Sequence, residues 1–124
     1  MRALLIFILS STFLSAQIPE AIHSKAEAHV MIDSLYQKLK RGANFAQLAN
    51  LRSEDPGTAG KGGLYSKCKK GTFTPEFEAA LEKLKVNQIS PPFETPYGFQ
   101  IAKLISKQGD TFTVRHILIR FKEE

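Results

Sequence analysis

Two apolar runs, residues 99–106 and 112–121, are separated by little more than Gln108-Gly109-Asp110, and this pairing limits the fold more than any other feature. A Gly-Asp step between such runs is a hairpin signal, so the C-terminal part reads as two antiparallel strands joined tightly. Centred on Gln108, the hairpin places Gln100 directly opposite His116 on the same face. An isolated hairpin is at best marginal in water, so further elements must cover this one.

Those elements can be read upstream. Ser24-Lys25-Ala26-Glu27 has capping-box spacing, with Ser24 as N-cap and Glu27 reaching back. Ala28, Met31, Ile32, Leu35 and Leu39 then share one face of a helix that Gly42 ends. A shorter helix follows over residues 44–51, burying Phe45, Leu48 and Ala49. Thr74-Pro75 opens a third, since proline suits the first helical turn, with Phe77, Ala80, Leu81 and Leu84 as its apolar stripe. Residues 89–95 read as a short strand that Pro91 and Pro92 confine to an edge. The segment 52–71, with five glycines and Pro56, reads as an irregular loop of tight turns. Helix, helix, loop, helix and three strands make an α+β fold, an antiparallel sheet covered by helices.

Several functions are set aside by composition. At 124 residues and 43% hydrophobic, the chain suits one compact domain. The net charge of +5 is spread along the chain, and the one dense basic cluster, Lys67, Lys69 and Lys70, reads as solvated lysines around a loop. No nucleic-acid partner is expected. Lys61 and Lys70 are each followed by Gly, whereas a phosphate-binding P-loop needs Ser or Thr there. Residues 1–16 read as a signal peptide: Arg2 supplies a positive start, residues 3–9 an apolar run, and Ser15-Ala16 a cleavage site. Residues 17–124 then form the single mature domain, exported to a periplasm or secreted, with no stable membrane span. Cys68 is the one cysteine, so no internal disulfide can form. His23 and His29 match nothing catalytic, and three scattered histidines with one cysteine suggest neither a metal site nor a cofactor.

A resemblance covers about half the chain. Its pieces are Gly42-Ala43-Asn44-Phe45-Ala46-Gln47-Leu48-Ala49, then Ser53-Glu54-Asp55-Pro56-Gly57-Thr58-Ala59, then Gly62-Gly63. They continue with Gly71-Thr72-Phe73-Thr74-Pro75-Glu76-Phe77-Glu78 and with Gln88-Ile89-Ser90-Pro91-Pro92-Phe93-Glu94-Thr95-Pro96-Tyr97-Gly98-Phe99. In order and spacing this resembles the parvulin-type peptidyl-prolyl cis/trans isomerases, or rotamases, especially the domains of exported bacterial folding factors. The resemblance implies an FKBP-like superfold with an antiparallel sheet of about four strands under helices. That fold opens with a strand carrying a histidine, in a pattern like Arg-His-Ile-Leu-Ile. Here Val114-Arg115-His116-Ile117-Leu118-Ile119 stands at the C-terminal end instead. The family's first and last strands are antiparallel neighbours, so a hairpin can join them, and the expectation is a circular permutation completed within one chain. A truncated tandem protein and a strand-swapped dimer are the alternatives to this self-completed monomer.

The resemblance also assigns residues. Phe73 and Phe77 match the pocket for the proline ring, with Leu64 or Tyr65 as a further wall; the common Asp-Leu-Gly after the double glycine is Leu64-Tyr65-Ser66 here. Asp55 matches the position where the family carries a cysteine or aspartate facing the twisting bond, and the rival reading is a loop cap. His116 and Gln100 stand where the family pairs two histidines, and Thr95 matches a hydroxyl in the same network. The implied partners are unfolded or extended proline-containing polypeptides, and no cofactor is implied. Two functions follow: an active isomerase that assists folding of exported proteins, or a non-catalytic chaperone or peptide-binding module using the same groove. Gln100 in place of a histidine is the feature that favours the second.

Overall fold

The computed structural model describes residues 19–123, so the expected signal peptide lies outside the described residues. Helix α1, Lys25–Lys40, begins with the expected capping box: Glu27 N donates to Ser24 Oγ at 3.1 Å and Ser24 N to Glu27 Oε1 at 2.7 Å. Gly42, at φ +101°, takes the chain out of the helix in a conformation that side chains resist. Helix α2, Phe45–Arg52, is capped by Asn44, whose Oδ1 accepts from Gln47 N at 2.9 Å. Helix α3, Pro75–Glu82, is capped by Thr74.

Strands β1 (Leu64–Lys69), β2 (Phe93–Thr95), β3 (Gly98–Gln108) and β4 (Thr111–Ile119) form one sheet in the order β1-β4-β3-β2, every neighbour antiparallel. Alternation along β3 and β4 divides the core between two faces. On one face Phe99, Ile101, Ile117 and Ile119 pack against Ile32, Leu35, Phe45 and Ala49 of α1 and α2. On the other, Ala102, Leu104, Phe112 and Val114 pack against Phe77 and Leu81 of α3. Helices thus lie on both faces, which is why β3 and β4 read as nearly continuous apolar runs.

Three sequence expectations change. The glycine-rich segment is not irregular throughout, because Leu64–Lys69 is a strand. Its pattern is obscured by a bulge between Tyr65 and Cys68, where Lys67 takes φ 53°, and the strand exists by pairing with β4. Residues 89–95 pair only at Phe93–Thr95 and at one isolated bridge, Ile89 to Lys103, because Pro91 and Pro92 have no N–H to donate. The hairpin register also differs. Gln108 pairs with Thr111 across Gly109-Asp110, with Gly109 at φ +60°, and a bulge at Ile105 offsets the rest. Gln100 therefore faces Leu118, and His116 faces Ala102. The two remain diagonal neighbours on one face, within side-chain reach.

Candidate active site

The loop after α2 is pinned to β4 by its backbone: Glu54 N donates to Leu118 O at 2.7 Å and Leu118 N to Ser53 Oγ at 3.1 Å. That anchoring delivers Asp55 to the ring of His116. Oδ1 of Asp55 accepts from Gly57 N at 3.2 Å, so the loop-cap reading is correct as far as it goes. Oδ2 does something else. It lies 2.9 Å from His116 Nε2, accepts from Thr58 Oγ1 at 2.6 Å and accepts from Tyr65 OH at 3.1 Å. The His116 and Thr58 donors hold the Asp55 carboxyl well below its ordinary value, against the opposing effect of burial. The Tyr65 phenol is pushed up to about 12, first by burial and then by the negative charge of Asp55.

On its other side the His116 ring meets Gln100, Nδ1 to Oε1 at 2.8 Å, and Gln100 Nε2 donates to Thr95 Oγ1 at 2.9 Å. Every one of these polar groups is satisfied, and the described residues contain no buried side-chain nitrogen or oxygen without a partner. Gly63 makes this arrangement possible. At φ +76° it lies so close to β4 that a Cβ there would sit 2.1 Å from the His116 carbonyl oxygen. Its own carbonyl accepts from His116 N at 3.0 Å.

An aromatic wall adjoins the polar chain. Phe73 and Phe77 stack with centroids 4.7 Å apart, Tyr65 meets Phe73 edge-on at 5.4 Å, and Tyr65 lies tilted over His116 at 4.9 Å. The loop carrying Phe73 is held by Glu78 of α3, whose Oε2 accepts from Gly71 N at 2.5 Å and Phe73 N at 3.3 Å. Wall and polar chain enclose an open cleft of about 320 Å³, lined by Asp55, Tyr65, Phe73, Phe77, Gln100 and His116.

Six of the eight residues singled out in the sequence thus share one cleft. Thr95 is buried behind it, joined through Gln100. Leu64 does not line it: Leu64 and Tyr65 alternate along β1, and Tyr65 is the one at the cleft, with Leu64 paired opposite Arg115. Sequence reasoning missed Thr58, Tyr97 and Leu118. Thr58 lay three residues after Asp55, at the spacing of a side-chain capped turn, and that was the available signal. Tyr97 and Leu118 carried none, because they reach the cleft only through the turn before β3 and the register of β4.

The comparisons with known proteins agree with this architecture. Residues 14–106 match the family model described as rotamase, PPIC-type PPIase domain. A chaperone SurA of Alkalilimnicola ehrlichii is 37% identical over 66% of this chain and 19% of its own length. A foldase protein PrsA of a Geobacillus species is 39% identical over 71% of this chain and 32% of its own length. The chain spans about a fifth to a third of the curated relatives it matches. The crystal structure of the peptidylprolyl isomerase PrsA from Bacillus anthracis superposes with a TM-score of 0.53 at 30% identity, over 83% of this chain and 39% of that one. Among the described residues no helix is long and apolar enough to cross a membrane. With a four-stranded antiparallel sheet, helices on both faces and a cleft formed by the residues that carried the resemblance, the chain belongs to the PPIC-type, or parvulin, peptidyl-prolyl isomerase domain family.

Proposed function

We propose that this domain catalyses cis/trans isomerisation of X-Pro bonds in unfolded polypeptides outside the cytoplasm. Rotation about an ordinary peptide bond meets a barrier of about 18–20 kcal/mol because it breaks amide resonance. The X-Pro isomers are close in energy, so a catalyst has only to lower that barrier. It does so by binding the twisted amide better than either planar form. Phe73, Phe77 and Tyr65 take the proline ring and exclude water from one side of the bond. Asp55, His116 and Gln100 form the polar wall on the other, a fixed field for the charge that shifts when resonance is lost. Asp55 acts as a carboxylate rather than a proton carrier, because both its oxygens are engaged by donors. The meeting of the aromatic wall with the Asp55–His116 pair in a single cleft is the observation that carries this reading.

The likeness to chaperone SurA and foldase protein PrsA supports unfolded chains as the substrate, and with residues 1–16 read as a removed leader it supports export. We read β4 as the family's opening strand in a new chain position. It lies between β1 and β3, antiparallel to both, and brings its histidine to the cleft. A second reading, a binding module without turnover, is favoured by Gln100, which does not titrate where the family carries a histidine. A protease-coupled assay on a short X-Pro peptide separates the two. Acceleration over the spontaneous rate supports the isomerase. Saturable binding without acceleration, from a sample that melts cooperatively, leaves the binding module.

A further inference from the structure

We infer that Gln100 is a positioning residue that keeps Nδ1 of His116 protonated, and so gives the polar wall a single direction. The inference rests on the isomerase reading for its function but on hydrogen-bond geometry for its substance. Thr95 Oγ1 lies 3.2 Å from the Gly98 carbonyl oxygen, which can only accept, so the single Thr95 hydroxyl proton points there. The remaining capacity of Oγ1 is to accept, and it takes Tyr97 N at 3.2 Å and the Gln100 amide at 2.9 Å. The end of Gln100 facing Thr95 is therefore its NH₂ group. The end facing His116 Nδ1, 2.8 Å away, is the carbonyl oxygen, and Nδ1 must donate to it.

The consequence is directional. A backbone carbonyl that cannot switch roles orders Thr95, then Gln100, then the imidazole, and turns Nε2 toward Asp55 and Thr58. Nε2 donates to Asp55 Oδ2 at 2.9 Å, because Thr58 spends its own hydroxyl proton on the same oxygen, so the ring has a donor at each end. Gln100 is 4% exposed and His116 likewise, so water is excluded as a competing partner. A second imidazole at this position would have two interchangeable nitrogens and would leave the direction free. The titratable groups facing the His116 ring are Asp55, from the loop after α2, and Tyr65, from β1; Thr58, Phe77 and Gln100 complete its surroundings without charge.

The test is the ring ¹⁵N spectrum of the folded protein with labelled histidine, the other two imidazoles assigned by His23→Gln and His29→Gln. Wild type is expected to show Nδ1 of His116 protonated, hydrogen-bonded to Gln100. Gln100→Leu removes the acceptor and is expected to lose the Nδ1–H signal and leave the ring proton on Nε2 against Asp55, while Gln100→Glu keeps an acceptor and restores that signal. In step, kcat/KM on an X-Pro peptide falls roughly fivefold in Gln100→Leu, the size of one lost hydrogen bond, and less in Gln100→Glu. An unprotonated Nδ1 in wild type, or an unchanged Nδ1–H signal in Gln100→Leu, overturns the inference. Absence of turnover in wild type with the expected spectrum overturns the isomerase reading instead and leaves the proton assignment standing.

Discussion

At the level of single residues the site combines groups held for opposite reasons. Phe73 is partly open to solvent and contributes wall, whereas His116 is buried and holds the cleft together. Phe73→Ala should weaken peptide affinity about tenfold while leaving the urea midpoint almost unchanged, measured by titration calorimetry and denaturation. His116→Ala should instead cost about 3 kcal/mol of stability, because it strands the Gln100 carbonyl and leaves a cavity against Tyr65 and Phe77. Gly63→Ala should be as damaging for a backbone reason, since its Cβ would collide with the His116 carbonyl at 2.1 Å. The Asp55 carboxyl, lowered from an ordinary value of 3.8, adds stability that is complete above that value and is lost as pH falls toward its folded one. Urea midpoints should therefore drop below about pH 4 in wild type, and more gently in Asp55→Asn. The identity of these residues was legible in the sequence because their spacing resembled a family. Their mutual geometry was not, since Tyr65 OH, Thr58 Oγ1 and His116 Nε2 reach Asp55 from three separate segments.

At the level of elements, local signals decided what could be foreseen. Two helices announced themselves by caps, present at Ser24 and Thr74, while Asn44, read as the first residue of the second helix, is its cap. Ser24→Ala should lower stability by about 1 kcal/mol through loss of both bonds of the capping box, checked by thermal melting. Strand β1 was hidden because a bulge breaks its alternation and its partner, β4, lies 42 to 51 residues away along the chain by the pairs Lys69–Thr111 and Leu64–Arg115. No window of sequence contains that pairing. The hairpin was visible, but its turn is centred on Gly109-Asp110 rather than Gln108, and one extra residue at Ile105 then returns Gln100 and His116 to a common face. The error moved His116 along the sheet by one diagonal step and kept it on the same face, so the contact with Gln100 survived.

Taken whole, the molecule depends on its last strand. β4 lies inside the sheet, contributes buried side chains to both faces and carries His116 into the cleft. Pairing within the chain predicts a monomer by light scattering, since the turn at Gly109-Asp110 holds β4 beside β3 at little entropic cost. A stable dimer that exchanges subunits slowly would point to strand exchange instead. Fold class was readable because two apolar runs and three helices with apolar faces leave few ways to build a core. The joining of an aromatic wall to a polar chain was not, because it depends on how β1, β4 and the loop after α2 meet. That junction is the central claim, and exchange NMR on an X-Pro peptide tests it most directly. Cross-peaks between the cis and trans proline signals are expected in the presence of wild-type protein, strongly reduced with Phe73→Ala at equal concentration. Spontaneous rates with folded wild-type protein, or full catalysis in Phe73→Ala, would contradict it.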